Sequence, residues 1–255
     1  MDRTHIKEFE VHGYETDVDG KAQPLALLNY LQDSAGEHAS RLGFGFHDLT
    51  AKGMIWVLSR YHVKFLSYPG WGTRVQVTTW PSGHQGIFAL RDFEMADAEG
   101  RTLAVATSSW IMLNLRAKQP VRIEEHLSER VVLPQRAVDD PFPPLPACDG
   151  AERERDFPVL FKDLDLNRHV NHAVYIQWAL ETVPPEILKT KRPVQIEVAY
   201  KAEAFHGDTI ISKLRAESTD SGLSCVHGIF NQESGAELTR LRTRWESTPR
   251  HLWKP

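Results

Sequence analysis

The two sides of a proline-rich stretch repeat one another, and that repeat limits the possible folds more than any other feature of the chain. Tyr61, Val63 and Phe65 recur as Ile196, Val198 and Tyr200; Gly72 recurs as Gly207, Gly100 as Gly235, Leu103 as Leu238 and Trp110 as Trp245, each pair offset by 135 residues. A fixed offset means one supersecondary unit used twice. Upstream, Tyr30-Leu31-Gln32 matches Tyr175-Ile176-Gln177 at an offset of 145, which predicts ten extra residues in the first half, at Phe44 to Gly53. Between the halves, Leu133 to Glu152 holds five prolines, which forbid helix and interrupt a central strand. The expected organisation is residues 1–133, an extended linker at 134–152, and residues 153–255.

Each half reads as a helix followed by strands. Leu28, Leu31, Ala35, Ala39 and Leu42 form one helical stripe, predicting a helix over Leu25 to Leu42 that Gly43 stops. From Val170 to Val183 the chain is apolar nearly all round, predicting a deeply buried helix ended by Pro184-Pro185. Val194, Ile196, Val198 and Tyr200 then alternate with Gln195, Glu197 and Lys201, and Ile210 to Ala216, Leu223 to Phe230 and Glu237 to Trp245 follow as further strands. The expected class is α+β, a tandem (double) hotdog in which each half is a long antiparallel sheet wrapped around a central helix.

At 255 residues, 41% hydrophobic and 25% charged, the chain has ordinary globular composition, enough for two domains of roughly 100–150 residues. A net charge of −4 argues against a general nucleic-acid binder. Cys148 and Cys225 are too few for a disulfide framework or a cysteine metal site. No run approaches a membrane span and the charged N-terminus lacks an apolar signal core, so a cytoplasmic location is expected.

The chemistry concentrates in Asp163-Leu-Asp-Leu-Asn-Arg-His-Val-Asn-His172, just before the second helix. Asp165, Asn167 and His169 supply a carboxylate, an amide and an imidazole, and a helix start adds backbone N–H donors for developing negative charge. Three rivals stand beside a hydrolytic reading. Calcium would use Asp163, Asp165 and Asn167, but the sixth and twelfth loop places hold Arg168 and Val174 rather than Gly and Glu. Zinc through His169 and His172 lacks a third ligand at a defined spacing. Plain N-capping by Asp or Asn remains open. Nucleophile-elbow, P-loop and dinucleotide signatures are absent from the sequence.

The stretch Asp163 to Glu181 resembles the signature of the acyl-[acyl-carrier-protein] thioesterases of plants and bacteria. Leu28-Asn-Tyr-Leu-Gln-Asp, Ile55 to Arg60, Tyr68 to Gly72, Val75 to Trp80 and Ser108 to Met112 look like that family's N-terminal half, so the likeness covers most of residues 5–246. The resemblance implies catalytic roles for Asp165, Asn167 and His169, and for Glu203 on a strand of the same half. Strand phase alone puts Glu203 on a polar face, as a solvated edge carboxylate. The plant enzymes carry Cys next to that Glu; Ala204 stands here, which removes a cysteine nucleophile at that place, and Cys225 reads as a small buried apolar residue. Carried back by the two offsets, the four groups fall on Gly20, Ala22, Pro24 and Tyr68, so the first half is expected to have lost them all.

The expected reaction is hydrolysis of a fatty acyl-carrier thioester by an activated water. His169 and Asn167 orient water and thioester, backbone N–H groups near the second helix receive the oxyanion, and Asp165 or Glu203 is the base, with attack by Asp165 itself as an alternative. On that basis Asp165→Asn is expected to cost orders of magnitude in turnover. The acyl pocket is expected from the Leu28–Ala39 helix and the Met54–Leu66 strand, and no metal or organic cofactor is implied. The implied partner is an acidic acyl carrier protein bearing acyl-phosphopantetheine. Arg240, Arg242 and Arg244 on one strand face, or Lys189, Lys191 and Arg192, are candidates to dock it, against the plain reading of solvated faces. Competing functions are an acyl-CoA thioesterase, a non-catalytic acyl-binding module and a dehydratase; monomer and homodimer are both compatible with a double hotdog.

Overall fold

The structure, a computed structural model, describes residues 3–125, 129–219 and 222–247. It divides into two compact units, residues 1–141 and 142–255, with the division inside the proline-rich stretch.

The first unit runs β1 (His5–Glu10), α1 (Pro24–Arg41), α2 (Phe46–Thr50), β2 (Met54–Phe65), β3 (Arg74–Gln85), β4 (Phe88–Asp97), β5 (Thr102–Asn114) and the short β6 (Gln119–Pro120). Its strands pair antiparallel in the order β1-β3-β4-β5-β2, with β6 also on β5. α1 starts with Pro24 in its first turn and stops at Gly43, whose φ of 78° is open to a residue without Cβ. Its buried face, Leu27, Leu28, Leu31 and Ala35, lies against β1 and β3, while α2 covers β2. Each such leucine stabilises the unit by about 1.5–3 kcal/mol on burial.

The second unit runs β7 (Arg153–Pro158), α3 (His172–Glu181), α4 (Pro185–Thr190), β8 (Lys191–Tyr200), β9 (Thr209–Thr219), β10 (Gly222–Asn231) and β11 (Glu237–Ser247). Its antiparallel order, β8-β11-β10-β9-β7, is that of the first unit: β2, β5, β4, β3 and β1 correspond to β8, β11, β10, β9 and β7. Each unit is a helix held against a long antiparallel sheet, the hotdog arrangement. Among the described residues no helix is long and apolar enough to cross a membrane. Cys148 and Cys225 are buried free thiols, and burial pushes the Cys225 thiol up to about 12.

Three expectations need correction. β1 and β7, and the starts of α1 and α3, are related by 148 residues rather than 145, while the long strands keep 135. The first half therefore carries thirteen extra residues between helix start and long strand rather than ten, α2 among them. The second helix begins at His172 rather than Val170, because residues 164 to 170 close a turn of their own. β8 ends at Tyr200, so Glu203 is not on a strand: the N–H groups of Lys201 and Ala202 both turn to Leu238 O and the ladder stops. Within the polar phase of β8, Glu197 is buried against Arg242, which donates to it at 2.6 and 2.8 Å.

The proline-rich stretch has no helix or strand, yet it is not a free tether. Buried Asp92 accepts from Ala137 N (2.8 Å), Arg136 Nε (3.1 Å) and Ser82 Oγ (2.5 Å), which fastens the start of the stretch to the first sheet. In the second unit, Arg240 donates to Leu145 O, Arg215 to Asp149 O and the Cys148 thiol to Val226 O.

Candidate active site

The motif before α3 folds as a closed turn organised by one carboxylate. Asp165 Oδ1 accepts from the N–H groups of Asn167 (2.7 Å) and His169 (3.3 Å), while Asp165 N–H donates to His169 O (2.8 Å) and Arg168 N–H to Asp165 O (3.0 Å). Arg168 sits at the tip with φ of 64°. The capping rival resolves onto another residue: Asn171, not Asp165 or Asn167, caps α3, its side chain accepting from Ala173 N–H (2.9 Å). Asp163 is consumed in the preceding turn, accepting from Leu160 N–H and pairing with Lys162.

The turn presents His169 to Glu203. Nδ1 of His169 lies 3.2 Å from Glu203 Oε1, with the side chains 28% and 44% exposed, so the pair is open to a substrate. The backbones beside these two residues are tied directly. Val170 N–H donates to Ala204 O (3.2 Å), and Ala204 N–H donates to the Tyr175 hydroxyl on α3 (2.8 Å). The Phe205 ring meets the His169 imidazole edge-on, with centroids 5.3 Å apart. Tyr175 is buried, and its hydroxyl pKa is raised by burial first and by the charges of Glu203, Asp208 and Asp165 after it.

The N–H groups of residues 167 to 171, and of 173 and 174, are all engaged within this network. Those backbone donors, expected for an oxyanion, are therefore already used. The Asn167 side-chain amide, half-buried between Asp165 and His169 in sequence, has no hydrogen bond to a described residue.

The first unit contains the same turn without the same chemistry. Asp17 Oδ1 accepts from Asp19 N–H (2.9 Å) and Lys21 N–H (3.2 Å), Asp17 N–H donates to Lys21 O and Gly20 N–H to Asp17 O. Ala22 N–H donates to Pro69 O, as Val170 N–H does to Ala204 O. The true counterparts of Asp165, Asn167, His169 and Glu203 are thus Asp17, Asp19, Lys21 and Tyr68, so the first half retains the aspartate, contrary to expectation. The signal was present in the sequence, as Asp17-Val-Asp-Gly-Lys-Ala22 against Asp165-Leu-Asn-Arg-His-Val170.

The docking candidates on β11 are each engaged with a carboxylate: Arg240 with Glu237 (2.6 Å), Arg242 with Glu197 (2.6 Å) and Arg244 with Glu246 (3.3 Å). The Leu28–Ala39 face is core between α1 and its sheet, and Leu66, one residue beyond β2, is exposed.

Residues 2–131 match the family model for the acyl-ACP thioesterase N-terminal domain, and residues 148–247 that for the C-terminal domain. The chain belongs to the acyl-ACP thioesterase family. Among curated thioesterase relatives, an acyl-[acyl-carrier-protein] hydrolase of Cuphea viscosissima, chloroplastic by name, is 28% identical over 94% of this chain and 62% of its own length. A palmitoyl-acyl carrier protein thioesterase of Gossypium hirsutum is 32% identical over 96% of this chain and 64% of its own. The chain spans less than two thirds of the length of these relatives. Among solved structures, the 12:0-ACP thioesterase from Umbellularia californica superposes with a TM-score of 0.88 at 27% identity, covering 96% of this chain and 95% of that one. An acyl-ACP thioesterase from Bacteroides thetaiotaomicron gives 0.84 at 25% identity, covering 96% and 98%. The fold is the double hotdog of these thioesterases.

Proposed function

We propose that the protein hydrolyses the thioester of fatty acyl-[acyl-carrier-protein], releasing free fatty acid and carrier thiol. One observation carries the reading: in a chain of this family, an open His169–Glu203 pair is held by a turn whose first-half copy has neither group.

Glu203 accepts the Nδ1 proton of His169, which fixes the tautomer and leaves Nε2 as the proton acceptor. Nε2 takes a proton from water as its oxygen attacks the thioester carbon. The amide of Asn167 donates to the oxyanion, in place of the backbone groups that the turn has used. Collapse breaks the carbon–sulfur bond, and the imidazolium returns its proton to the departing thiolate. Asp165 positions this apparatus: its Oδ1 does what Asp17 Oδ1 does in a half without an imidazole. The base is therefore assigned to the His169–Glu203 pair rather than to Asp165.

The test is product analysis after incubation with carrier protein loaded with octanoyl to stearoyl chains, beside the matching acyl-CoA series. Free fatty acid from the carrier series is expected, and its length defines the substrate; the relatives' names already range from dodecanoyl to palmitoyl. Turnover of the CoA series alone, or of neither, overturns the reading.

A further inference from the structure

Position for position, the two turns differ most sharply at their tips. Gly20 sits at φ of 70° in the first, where glycine costs nothing; Arg168 sits at φ of 64° in the second. A left-handed backbone disfavours a residue with a Cβ, and the first turn meets the same need with glycine. Among the described residues nothing repays an arginine at this place. Arg168 is exposed, and among the described residues it makes no hydrogen bond or ion pair through its side chain. The arginines of β11, and Arg215 on β9, are each engaged with a carboxylate instead. An unfilled guanidinium on a strained backbone, between the amide Asn167 and the imidazole His169, marks a place kept for an outside anion.

The exposed apolar side chains around the turn are less telling. Leu166 is 80% exposed, but Val18 at the matching place of the first turn is 81% exposed, so that feature belongs to the turn and not to the chemistry. At the tip itself, a guanidinium is what the second half has added where the first has glycine.

We propose that Arg168 receives the phosphodiester of the phosphopantetheine arm that carries the thioester. This rests on the hydrolase reading above, in which the thioester lies at Asn167 and His169 and the arm must leave across the rim of the same turn. A guanidinium presents a planar fork that meets two phosphate oxygens at once, and it stays charged at any working pH. Leu166 and Phe205, 80% and 50% exposed, offer apolar surface to the dimethyl portion of the arm next to that phosphate. Arg168 is on this account a binding residue for the handle and takes no part in proton transfer.

One acyl group on three handles tests this: the carrier protein, free phosphopantetheine, and pantetheine, which lacks the phosphate. For the intact enzyme, kcat/KM on the phosphopantetheine thioester should exceed that on the pantetheine thioester by about tenfold or more, carried by KM. Arg168→Gln should collapse that ratio toward one, Arg168→Lys should restore part of it, and Arg168→Gly should collapse it while raising thermal stability, because the strain is relieved. No phosphate preference in the intact enzyme overturns the proposal, as does an equal loss on all three handles in Arg168→Gln. A loss confined to the carrier protein also overturns it, since the guanidinium would then read the carrier's acidic surface. Absence of turnover on any handle by the intact enzyme would instead sink the hydrolase reading.

Discussion

The turn at Asp17–Ala22 and the turn at Asp165–Val170 share a hydrogen-bond scheme and differ in almost every side chain around it. One aspartate closes each turn, and the second residue after the tip, Ala22 or Val170, donates its N–H across to a following segment, at Pro69 or Ala204. What the two share is scaffold, and what only one has is the set of groups that the proposed reaction uses: Asn167 for Asp19, Arg168 for Gly20, His169 for Lys21 and Glu203 for Tyr68. The comparison moves Asp165 from the list of reacting groups to the list of positioning ones. It leaves the His169–Glu203 pair as the feature that separates a working half from a folded one.

The largest expected effect follows directly. His169→Ala should lower kcat by about a thousandfold and Glu203→Gln by about a hundredfold, within the range for lost acid–base catalysis. The matching changes Lys21→Ala and Tyr68→Phe should stay within about threefold, as ordinary surface substitutions do. Comparable losses at both turns, measured as steady-state rates on one acyl-carrier substrate, would break the comparison.

A second contrast lies beneath the helices. Under α1, half-buried Arg91 donates to Thr79 Oγ1 (3.2 Å) and meets His38 Nδ1 (3.1 Å); desolvation lowers its pKa to about 10, so it stays charged through neutral and acid pH. Under α3, fully buried His227 meets Thr243 Oγ1 through Nε2 (2.9 Å) while Nδ1 has no partner, and burial lowers its pKa to about 3. Between 6.5 and 3 the unfolded chain binds a proton at this histidine and the folded chain does not. Its contribution is therefore complete above pH 6.5 and declines as pH falls, by at most about 1.4 kcal/mol per pH unit. The stability gap between native protein and His227→Gln, from urea unfolding at stepped pH, should narrow from pH 6.5 to 4. A constant gap would mean the site is hydrated.

Asp17 and Asp165 give the next effect. Alanine at either position removes a carboxylate that holds two backbone N–H groups and should cost about 1–2 kcal/mol of stability in each half. Only the change at Asp165 should also lower kcat. Asp165→Asn keeps an acceptor oxygen and should lose no more than about tenfold, replacing the orders of magnitude expected from sequence. A thousandfold loss in a stably folded Asp165→Asn would restore Asp165 as base or nucleophile.

Most of the architecture was legible because it is periodic. The 135-residue offset, the α1 stripe from Leu28 to Leu42 and the alternation of β8 to β11 each repeat enough to reveal themselves. The helix offset failed because it rested on Tyr30-Leu31-Gln32 and Tyr175-Ile176-Gln177, a three-residue match one turn out of place. Burial shows the true alignment: Leu27, Leu28, Tyr30 and Leu31 stand where Tyr175, Ile176, Trp178 and Ala179 do, and Ser34 and Thr182 each bond back four residues. The fourth site residue needed the family resemblance, because Glu203 reaches His169 through a segment that leaves the ladder, where strand parity carries no information. The pairing of Arg242 was hidden for the converse reason, since its partner Glu197 comes into range only once β8 and β11 are in register, whereas Glu237 and Glu246 lie on β11 beside Arg240 and Arg244.

The smallest effect probes how the working half holds its catalytic pair. In the first half the segment that receives the turn has Pro69, which has no N–H to satisfy, and Leu27 occupies the corresponding place on the helix. In the second half the same places hold Ala204 and Tyr175, and the tyrosine hydroxyl accepts the alanine N–H at 2.8 Å. Ala204 is thereby gripped from both sides, and Glu203, its neighbour, is kept beside His169. Tyr175→Phe leaves a buried N–H unpaired, at a cost of about 1–3 kcal/mol. It should lower kcat about three- to tenfold with little change in KM, because Glu203 is then held less firmly beside His169. A drop in melting temperature with an unchanged kcat would make Tyr175 a packing residue only. Tyr175→Leu with Ala204→Pro, which imposes the first half's solution on the second, should recover stability lost by Tyr175→Leu alone, because no orphaned N–H remains; failure to recover would show that the two halves solve this contact in different ways.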